Sequence, residues 1–189
     1  MWSLIEGNPI RFSLHEFSDI TGLNCEKIDE EDRVDVDHKE LWVQMKVDSR
    51  VGPNWKELTD VLRECRTWGE PIRKMIGLLF VLHVGILGIS RTSRIPLDYA
   101  KRVLNTDAFA RFPWGRVSFK RLIDSIKVVS YENTSYVVHG CAHVLLIWAF
   151  ESVRELGKDF GSKNGGDDVP LLRWDAGRTK GNIGDFLFS

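Results

Sequence analysis

The apolar run from Met75 to Ile89 constrains the fold of this chain more than any other feature. Among its 15 residues only His83 carries a strongly polar side chain, and three positions are glycine. A helix that spans a bilayer needs about 20 consecutive apolar residues, so this run is too short to cross a membrane. Pro71 precedes the run at a position typical of the first helical turn. The run therefore predicts a central helix buried on all sides, and no membrane partner is expected.

The flanking segments place apolar residues at helical spacing behind good capping residues. Ser13 stands three residues before Glu16, which is the pattern of a capping box, and Gly22 follows as a C-terminal cap. Asn54 directly precedes another amphipathic stretch. Further helices are predicted over 41–45, over 95–104, from Ser118 onward and over 142–156.

Strand signals lie near the two ends of the chain. Gly7-Asn8-Pro9 is a turn pattern between two short runs of strand-forming residues, which predicts a β-hairpin. Residues 171–174 predict a short strand after a flexible loop at 161–168, and 176–189 are too rich in glycine for a regular element. The predicted fold is mainly α (α+β): a single domain over 1–189, with a helical core, a small N-terminal hairpin and a short C-terminal strand.

The three cysteines, Cys25, Cys65 and Cys141, are far apart and form no CxxC pair. This pattern excludes a secreted disulfide scaffold and a zinc site built on paired cysteines. No basic stretch or small-residue cleavage site follows Met1, so a signal peptide is not expected. A reducing cytosolic or nuclear setting follows.

His139, Cys141 and His143 form the one close group of chemically versatile side chains. Their spacing matches no familiar zinc pattern, and the valines around them favour a structural role. A thiol in such an apolar stretch stays protonated and unreactive. The glycine-containing segments lack the residues of a phosphate-binding loop. The sequence therefore predicts no catalytic residues, no metal and no cofactor, and the chain is expected not to be an enzyme.

The net charge of −1 hides a strong division along the chain. Residues 1–49 carry 5 Lys/Arg against 12 Asp/Glu, residues 50–127 carry 15 against 7, and residues 128–189 carry 6 against 8. The acids are densest at 26–40, where eight acids and three bases predict a solvated loop. Such a division bears on partners rather than on fold, and it excludes only a uniformly basic protein.

The segment 91–127 combines nine basic residues with five aromatic ones. A nucleic-acid surface needs cations for phosphates and planar groups or arginine forks for bases. The alternative is that the aromatic residues form core and that the acids of 26–40 neutralise the basic face. On the first interpretation the candidate nucleic-acid-binding residues are Arg91, Arg94, Lys101, Arg102, Arg111, Arg116, Lys120 and Arg121.

Several strings are more specific than these patterns. They are Ile10–Phe17, Thr21–Cys25, Phe112–Arg116 with Ser118-Phe119, and Gly140 followed by Leu146–Glu151. Together they resemble the plant domain of unknown function numbered one-nine-eight-five, in order and spacing, over roughly residues 2–175.

The resemblance implies a context. Members of that family look like parts of transposon-derived plant proteins, and many precede an Ulp-type SUMO-protease-like domain. Related domains occur in VANC proteins of VANDAL, Mutator-like transposons, which are understood to bind short DNA motifs and to counteract DNA methylation. The family implies no catalytic residues for this chain, and Cys141 lacks the Asp-Cys-Gly context of an Ulp-type protease.

Two functions remain open on these grounds. The first is a non-enzymatic, nuclear, sequence-specific DNA-binding domain with an anti-silencing role in epigenetic regulation. The second is a protein-interaction or targeting domain that accompanies an Ulp-type SUMO-protease-like enzyme. A catalytic function would require a pocket in which His139, Cys141 and His143 hold a metal.

Overall fold

The computed structural model describes residues 1–5, 8–29, 31–127, 138–163, 165 and 168–175. These residues form ten α-helices, four short strands, two 3-10 turns and one π-helix, which confirms the predicted mainly helical fold. Residues 1–23 and 142–189 group into one compact unit, called here the terminal unit, and residues 24–141 into a second, the central unit. The expectation of a single domain stays a prediction, and the predicted flexible tail at 176–189 lies outside the described residues.

The terminal unit begins with the predicted hairpin. Strand β1 (Trp2–Ile5) pairs in antiparallel register with β2 (Asn8–Arg11), with Ile5 opposite Asn8 and Leu4 opposite Pro9. The predicted turn was therefore too long, since Asn8 and Pro9 belong to the ladder. Proline is compatible with this place because the two-stranded sheet consists of edge strands only.

Helix α1 (Leu14–Thr21) follows and confirms both of its predicted caps. The Ser13 backbone N–H donates to the Glu16 carboxylate at 2.8 Å, and the His15 N–H donates to the Ser13 hydroxyl oxygen at 3.3 Å. The Ser13 hydroxyl also donates to Glu16 and lowers the pKa of that carboxyl to about 2. Gly22 ends the helix in the left-handed region at φ 65°. This is a conformation that glycine adopts without a steric penalty.

The rest of the terminal unit comprises α8 (His143–Ser152), α9 (Arg154–Phe160), β3 (Ser162–Lys163), α10 (Pro170–Arg173) and β4 (Trp174–Asp175). Its aromatic core includes Phe12, whose ring centroid lies 6.4 Å from that of Phe17 and 5.3 Å from that of Trp148. All three side chains are buried, so the core joins the hairpin, α1 and α8.

Three predictions for this region were wrong in detail. The helix predicted over 142–156 is divided, because Val153 adopts an extended backbone at φ −124° and ψ 100° between α8 and α9. The strand predicted over 171–174 is a helical turn up to Arg173, opened by Pro170, and only Trp174 onward is extended. The predicted loop at 161–168 contains β3, which pairs with β4 in antiparallel register.

The central unit begins with the acidic segment. Apart from the undescribed residue 30, residues 26–37 form no helix or strand and most are exposed, but the loop predicted over 26–40 ends earlier, because His38 is buried and α2 begins at Lys39. Helix α2 (Lys39–Gln44) then buries Leu41 and Trp42. The ring of His38 packs edge-on against Trp42 at 5.0 Å, and the Trp42 indole N–H donates to the Val51 carbonyl at 2.8 Å.

Helix α3 (Trp55–Glu64) is capped by Asn54 as predicted. The Glu57 backbone N–H donates to the Asn54 side chain, and the Asn54 N–H donates to the Glu57 carboxylate, both at 2.9 Å. A 3-10 turn at Cys65–Thr67 leads to α4 (Glu70–Phe80). Trp55 packs edge-on against Phe80 at 5.5 Å, so the start of α3 lies beside the end of α4.

The apolar run was predicted as a helix buried on all sides, and this was wrong. Helix α4 ends at Phe80 and continues as a π-helix, Val81–Ile86. Leu79, Leu82 and Ile86 are buried, but the side chains of Val81 and Val84 are 51% and 57% exposed. Composition did not reveal this, because it does not show which side of the run faces packing partners.

The central unit continues with α5 (Leu97–Lys101), a 3-10 turn (Arg102–Leu104), α6 (Thr106–Arg111) and α7 (Trp114–Lys127). The prediction that α7 begins at Ser118 was wrong. The Pro113 carbonyl accepts from the Arg116 and Val117 N–H groups, so the helix begins one turn earlier. Ser118 is fully buried, and its hydroxyl oxygen accepts the Cys141 N–H at 3.2 Å.

Candidate nucleic-acid interface

Arg102 is the candidate cation that the fold buries most deeply. Its side chain is 7% exposed, and its guanidinium donates to the Asp32 carboxylate at 3.0 and 3.3 Å and to the Asp32 carbonyl at 2.9 Å. The guanidinium carbon also lies 3.8 Å from the centroid of the Phe112 ring. Arg102 thus anchors the acidic segment to the core of the central unit.

Arg94 and Arg116 are also held by groups of the central unit. Arg94 forms a two-pronged pair with the Glu57 carboxylate at 2.8 and 2.9 Å. Arg116 donates to the carbonyls of Glu26 and Cys25 at 2.7 and 2.9 Å. Because carbonyls carry no net charge, the positive charge of Arg116 is not neutralised by these bonds, whereas that of Arg94 is.

The other named candidates before α7 lie nearer to solvent. Arg91 is exposed, with its guanidinium carbon 5.5 Å from the centroid of the Trp55 ring. Lys101 is partly buried at the end of α5. Arg111 is exposed at the end of α6, where its carbonyl accepts the Asn24 side-chain N–H at 2.7 Å.

Helix α7 contributes a row of basic residues, two of which are exposed. Arg116, Lys120 and Lys127 share one side at intervals of four and seven residues, with Asp124 between the last two. Lys120 and Lys127 are exposed, and Arg121 is partly buried beside the row. Among the described residues, no carboxylate lies within 4 Å of Lys120, Arg121 or Lys127. The row from Arg116 to Lys127 is called here the α7 face.

Four of the five aromatic residues of the segment pack together, and three of them, Phe109, Phe112 and Trp114, are buried. Trp114 is 3% exposed, and its ring centroid lies 4.5 Å from that of Phe112, 4.9 Å from that of Phe109 and 5.4 Å from that of Tyr99. The Trp114 indole N–H donates to the Phe109 carbonyl at 2.8 Å. These rings are therefore occupied by packing and do not form a platform for nucleic-acid bases.

The acidic segment neutralises the basic segment at one place in the described part of the chain. Asp32 pairs with Arg102, and Glu26 contributes its carbonyl rather than its carboxylate to Arg116. Glu26, Asp29, Asp35 and other acids of the loop remain exposed. The loop thus binds two arginines of the segment and leaves the α7 lysines without a carboxylate partner.

His139, Cys141 and His143 have different surroundings. The Nδ1 atom of His139 lies 3.0 Å from the Gly88 carbonyl, and the Cys141 N–H binds Ser118. His143 is exposed at the start of α8. Within the ranges that the structure describes, no three His, Cys, Asp or Glu side chains are arranged to hold a metal ion.

His83 is one of the buried polar side chains of the central unit. It is 1% exposed in the π-helix and 5.4 Å from the Trp55 ring, and neither ring nitrogen makes a hydrogen bond of good geometry with a described residue. Burial lowers the pKa of His83, and the Ser93 backbone opposes this effect without reversing it. The neutral imidazole is therefore favoured in the folded state.

Sequence reasoning missed two groups of exposed cations. Lys127 belongs to the α7 face but was left out of the candidates. Four more lie where α3 and α4 meet: Arg63, Arg66, Arg73 and Lys74, all exposed. The spacing of three residues between Arg63 and Arg66 was a signal for a shared side of that turn. These four lie outside the segment 91–127, in which aromatic residues alternate with basic ones, whereas Lys127 is its last residue.

None of the helices in the described residues has the length and apolar character that crossing a bilayer requires. What the fold and the site define is a mainly helical module with an N-terminal β-hairpin and a row of exposed basic residues along one helix.

The chain belongs to the family described as Domain of unknown function (DUF1985), whose model matches residues 1–125. This confirms the family that the sequence resembles, although the match does not extend over Gly140 and Leu146–Glu151. The match covers the hairpin, α1 and the central unit into α7. No curated protein and no solved structure matches the chain.

Proposed function

We propose that this chain is a non-enzymatic DNA-binding module that contacts phosphates through the α7 face. The observation that carries the proposal is the pair of lysines, Lys120 and Lys127, exposed on one side of α7 without carboxylate partners among the described residues. The uncompensated charge of Arg116 adds to the potential there. Seven residues of α-helix advance about 10 Å, so the two ammonium groups can reach different phosphates of one duplex.

The biological setting of the proposal comes from the resemblance described above. A module of a transposon-derived plant protein acts in the nucleus, and binding of motifs in its own element would serve anti-silencing. The buried aromatic rings of the segment support contacts to phosphates rather than stacking on exposed bases. Specificity for a motif then rests on side chains that reach a groove, for which Arg111 and Arg121 are available near α7.

A mobility-shift titration with the full chain tests the proposal. The probes are a duplex from the terminal sequence of a Mutator-like transposon and a scrambled duplex of the same length, each at several salt concentrations. Binding should weaken steeply as salt rises, with a log–log slope of about −0.9 for each phosphate contact. The absence of any shift at low salt would refute DNA binding.

Substitutions on the α7 face test whether this is the surface that binds DNA. Lys120→Gln with Lys127→Gln should weaken binding to both duplexes and reduce the magnitude of the salt slope by about two. The matched control is Arg63→Gln with Arg66→Gln, which removes the same charge from exposed positions on and just after α3. If both double variants lose affinity and slope equally, DNA is bound but the α7 face does not bind it specifically.

A second function is favoured by a different observation. Val81 and Val84 are exposed on the π-helix. The nearby Gly77 and Gly85 are also exposed and have no side chains that would cover the two valines. An exposed apolar patch of this kind is typical of a protein contact. We propose as the alternative a targeting domain that binds an Ulp-type SUMO-protease-like domain through this patch.

Size-exclusion chromatography with a purified Ulp-type domain tests the alternative. A complex should form with the wild-type chain and be lost with Val81→Ser and Val84→Ser. The same substitution at exposed Val43 of α2, which lies outside the patch, is the control and should leave the complex intact. Failure of the wild-type chains to associate would refute the alternative and leave DNA binding unaffected.

A further inference from the structure

The terminal unit contains a cleft that neither proposed function uses. It measures about 550 Å³ and is lined by Phe150, Glu151, Arg154, Gly157, Lys158, Gly161, Lys163 and Trp174. Three of these residues are cations and one is an acid, in a chain whose net charge is −1. The lining of the cleft therefore has the opposite sign to the protein as a whole.

Helix α9 builds one wall of the cleft. Arg154, Gly157 and Lys158 stand at intervals of three and one residues in α9, and Gly161 directly follows the last residue of the helix. The two glycines make room for Trp174. A Cβ atom at Gly157 would lie 2.8 Å from its ring, and one at Gly161 would lie 2.4 Å from it. The sequence of α9 thus fits the ring closely while placing two cations at the same surface.

The single acid in the lining already has partners. The Trp174 indole N–H donates to the Glu151 carboxylate at 2.6 Å, and the Lys163 ammonium lies 3.9 Å from the same carboxylate. Lys163 also lies 4.5 Å from the centroid of the Trp174 ring. Glu151 is therefore used to position Trp174 and Lys163 at the cleft.

Arg154 and Lys158 differ from Glu151 and Lys163 in their lack of a partner among the described residues. Both are exposed, they stand one helical turn apart, and neither makes a hydrogen bond or ion pair in the described part of the chain. Two like charges at this spacing repel each other and destabilise a helix. An anion placed between them relieves the repulsion, and arginine with lysine is the pair of side chains that proteins use most for phosphate groups.

We propose that this cleft binds a phosphate group through Arg154, Lys158 and Lys163, against a wall formed by Trp174. Its volume is within the range of sites that hold small ligands. Two sources present the same chemistry, a free phosphate compound and the backbone of DNA. The proposal does not depend on the α7 face, since every lining residue belongs to the terminal unit.

Nuclear magnetic resonance of the full chain provides the test, because the Trp174 indole N–H at the cleft is a specific reporter. Its signal is assigned by comparison with Trp174→Phe. Inorganic pyrophosphate is titrated at constant ionic strength, with sodium chloride as the control. Saturable shifts of this signal are expected with pyrophosphate and not with chloride. No saturable shift with pyrophosphate would overturn the proposal.

Two variants with opposite expected effects sharpen the test. Arg154→Gln with Lys158→Gln should weaken pyrophosphate binding about tenfold or more, because it removes the two unpaired cations. Glu151→Gln should strengthen it about threefold, since the amide oxygen still accepts the indole N–H while the repelling charge is gone. Equal affinity in the wild type and both variants would contradict the proposal.

A duplex titration separates the two sources and keeps this proposal distinct from DNA binding by α7. If DNA shifts the Trp174 signal and Arg154→Gln with Lys158→Gln abolishes the shift, the phosphate comes from the backbone. If pyrophosphate shifts the signal and DNA does not, the ligand is a free phosphate compound. Both results support the cleft, and neither depends on Lys120 or Lys127.

Discussion

Replacing Arg102 by methionine tests whether the acidic segment is anchored to the core as the structure indicates. Methionine keeps most of the apolar stem and removes the guanidinium. The variant loses two bonds to the Asp32 carboxylate, one to its carbonyl and the contact with the Phe112 ring. A buried charge-assisted hydrogen bond contributes about 1.5–3 kcal/mol and an arginine–aromatic contact about 1 kcal/mol.

These contributions do not simply add. The Asp32 side chain is 40% exposed, so water partly screens the pair and rehydrates the carboxylate once Arg102 is gone. Methionine also removes the cost of dehydrating a cation, including its Nε atom, which has no hydrogen-bond partner. The expected loss of unfolding free energy for Arg102→Met is therefore about 2–3 kcal/mol. For Asp32→Asn it is about 1 kcal/mol, because the carbonyl bond remains.

Equilibrium unfolding in urea, followed by tryptophan fluorescence, measures both losses and their coupling. In the Arg102→Met background Asp32→Asn should cost almost nothing, giving a coupling energy of about 1 kcal/mol. Arg63→Met, at an exposed position on α3, is the control and should change stability by less than about 0.5 kcal/mol. If Asp32→Asn costs the same with and without Arg102, the two residues do not interact and the anchoring argument fails.

Three further predictions concern the caps, His83 and a close backbone approach. Ser13→Ala and Asn54→Ala should each cost about 1 kcal/mol in urea unfolding, since each removes a cap of its helix; no loss would show that the caps contribute nothing. The unfolded form of His83 binds a proton near pH 6.5 and the folded form only at lower pH, so stability should fall below pH 6.5 by up to about 1.4 kcal/mol per unit. His83→Leu should remove that part of the pH dependence, and an unchanged profile would refute its assignment. Gly140→Ala should cost about 2 kcal/mol or more, because φ is 79° and the new Cβ would lie 2.7 Å from the Ser118 carbonyl oxygen; Gly77→Ala, on the open side of α4, should be neutral or stabilising.

Local chemistry made the helix starts of Ser13 and Asn54 predictable. In each case a capping residue and a glutamate three positions later form reciprocal bonds that involve only neighbouring residues. The left-handed Gly22 and the proline-opened helix near 97 are of the same kind. Such signals act over four or five residues, so the linear sequence contains all that is needed to recognise them.

The errors arose where distant segments decide the outcome. Val81 and Val84 are exposed because no segment within the described ranges covers that side of the π-helix, and nothing in the run itself distinguishes them from buried Leu82. Hydrophobicity predicts that a residue favours burial, but only the fold determines whether a partner reaches it.

The ion pairs of the candidate site were unpredictable for the same reason, because their partners are distant in the sequence. Counting charges identified the basic segment, but Arg102 finds its acid 70 positions away and Arg94 finds Glu57 37 positions away. The sequence gives no means of choosing these pairs among 27 acids. The sequence also shows that the segment is rich in aromatic residues, but not whether they form core or contact bases. The structure shows that those around Trp114 form core.

The different partners of Arg102 and Arg116 decide how the DNA proposal is best tested. Because Asp32 balances the charge of Arg102, removing Arg102 should disturb folding more than it disturbs the surface potential. Arg116 is held by carbonyls, so its removal would lower both stability and potential, and a loss of binding would have two explanations. Lys120 and Lys127 have no such second role among the described residues. Their substitution therefore tests the electrostatic contribution of the α7 face separately from its stability.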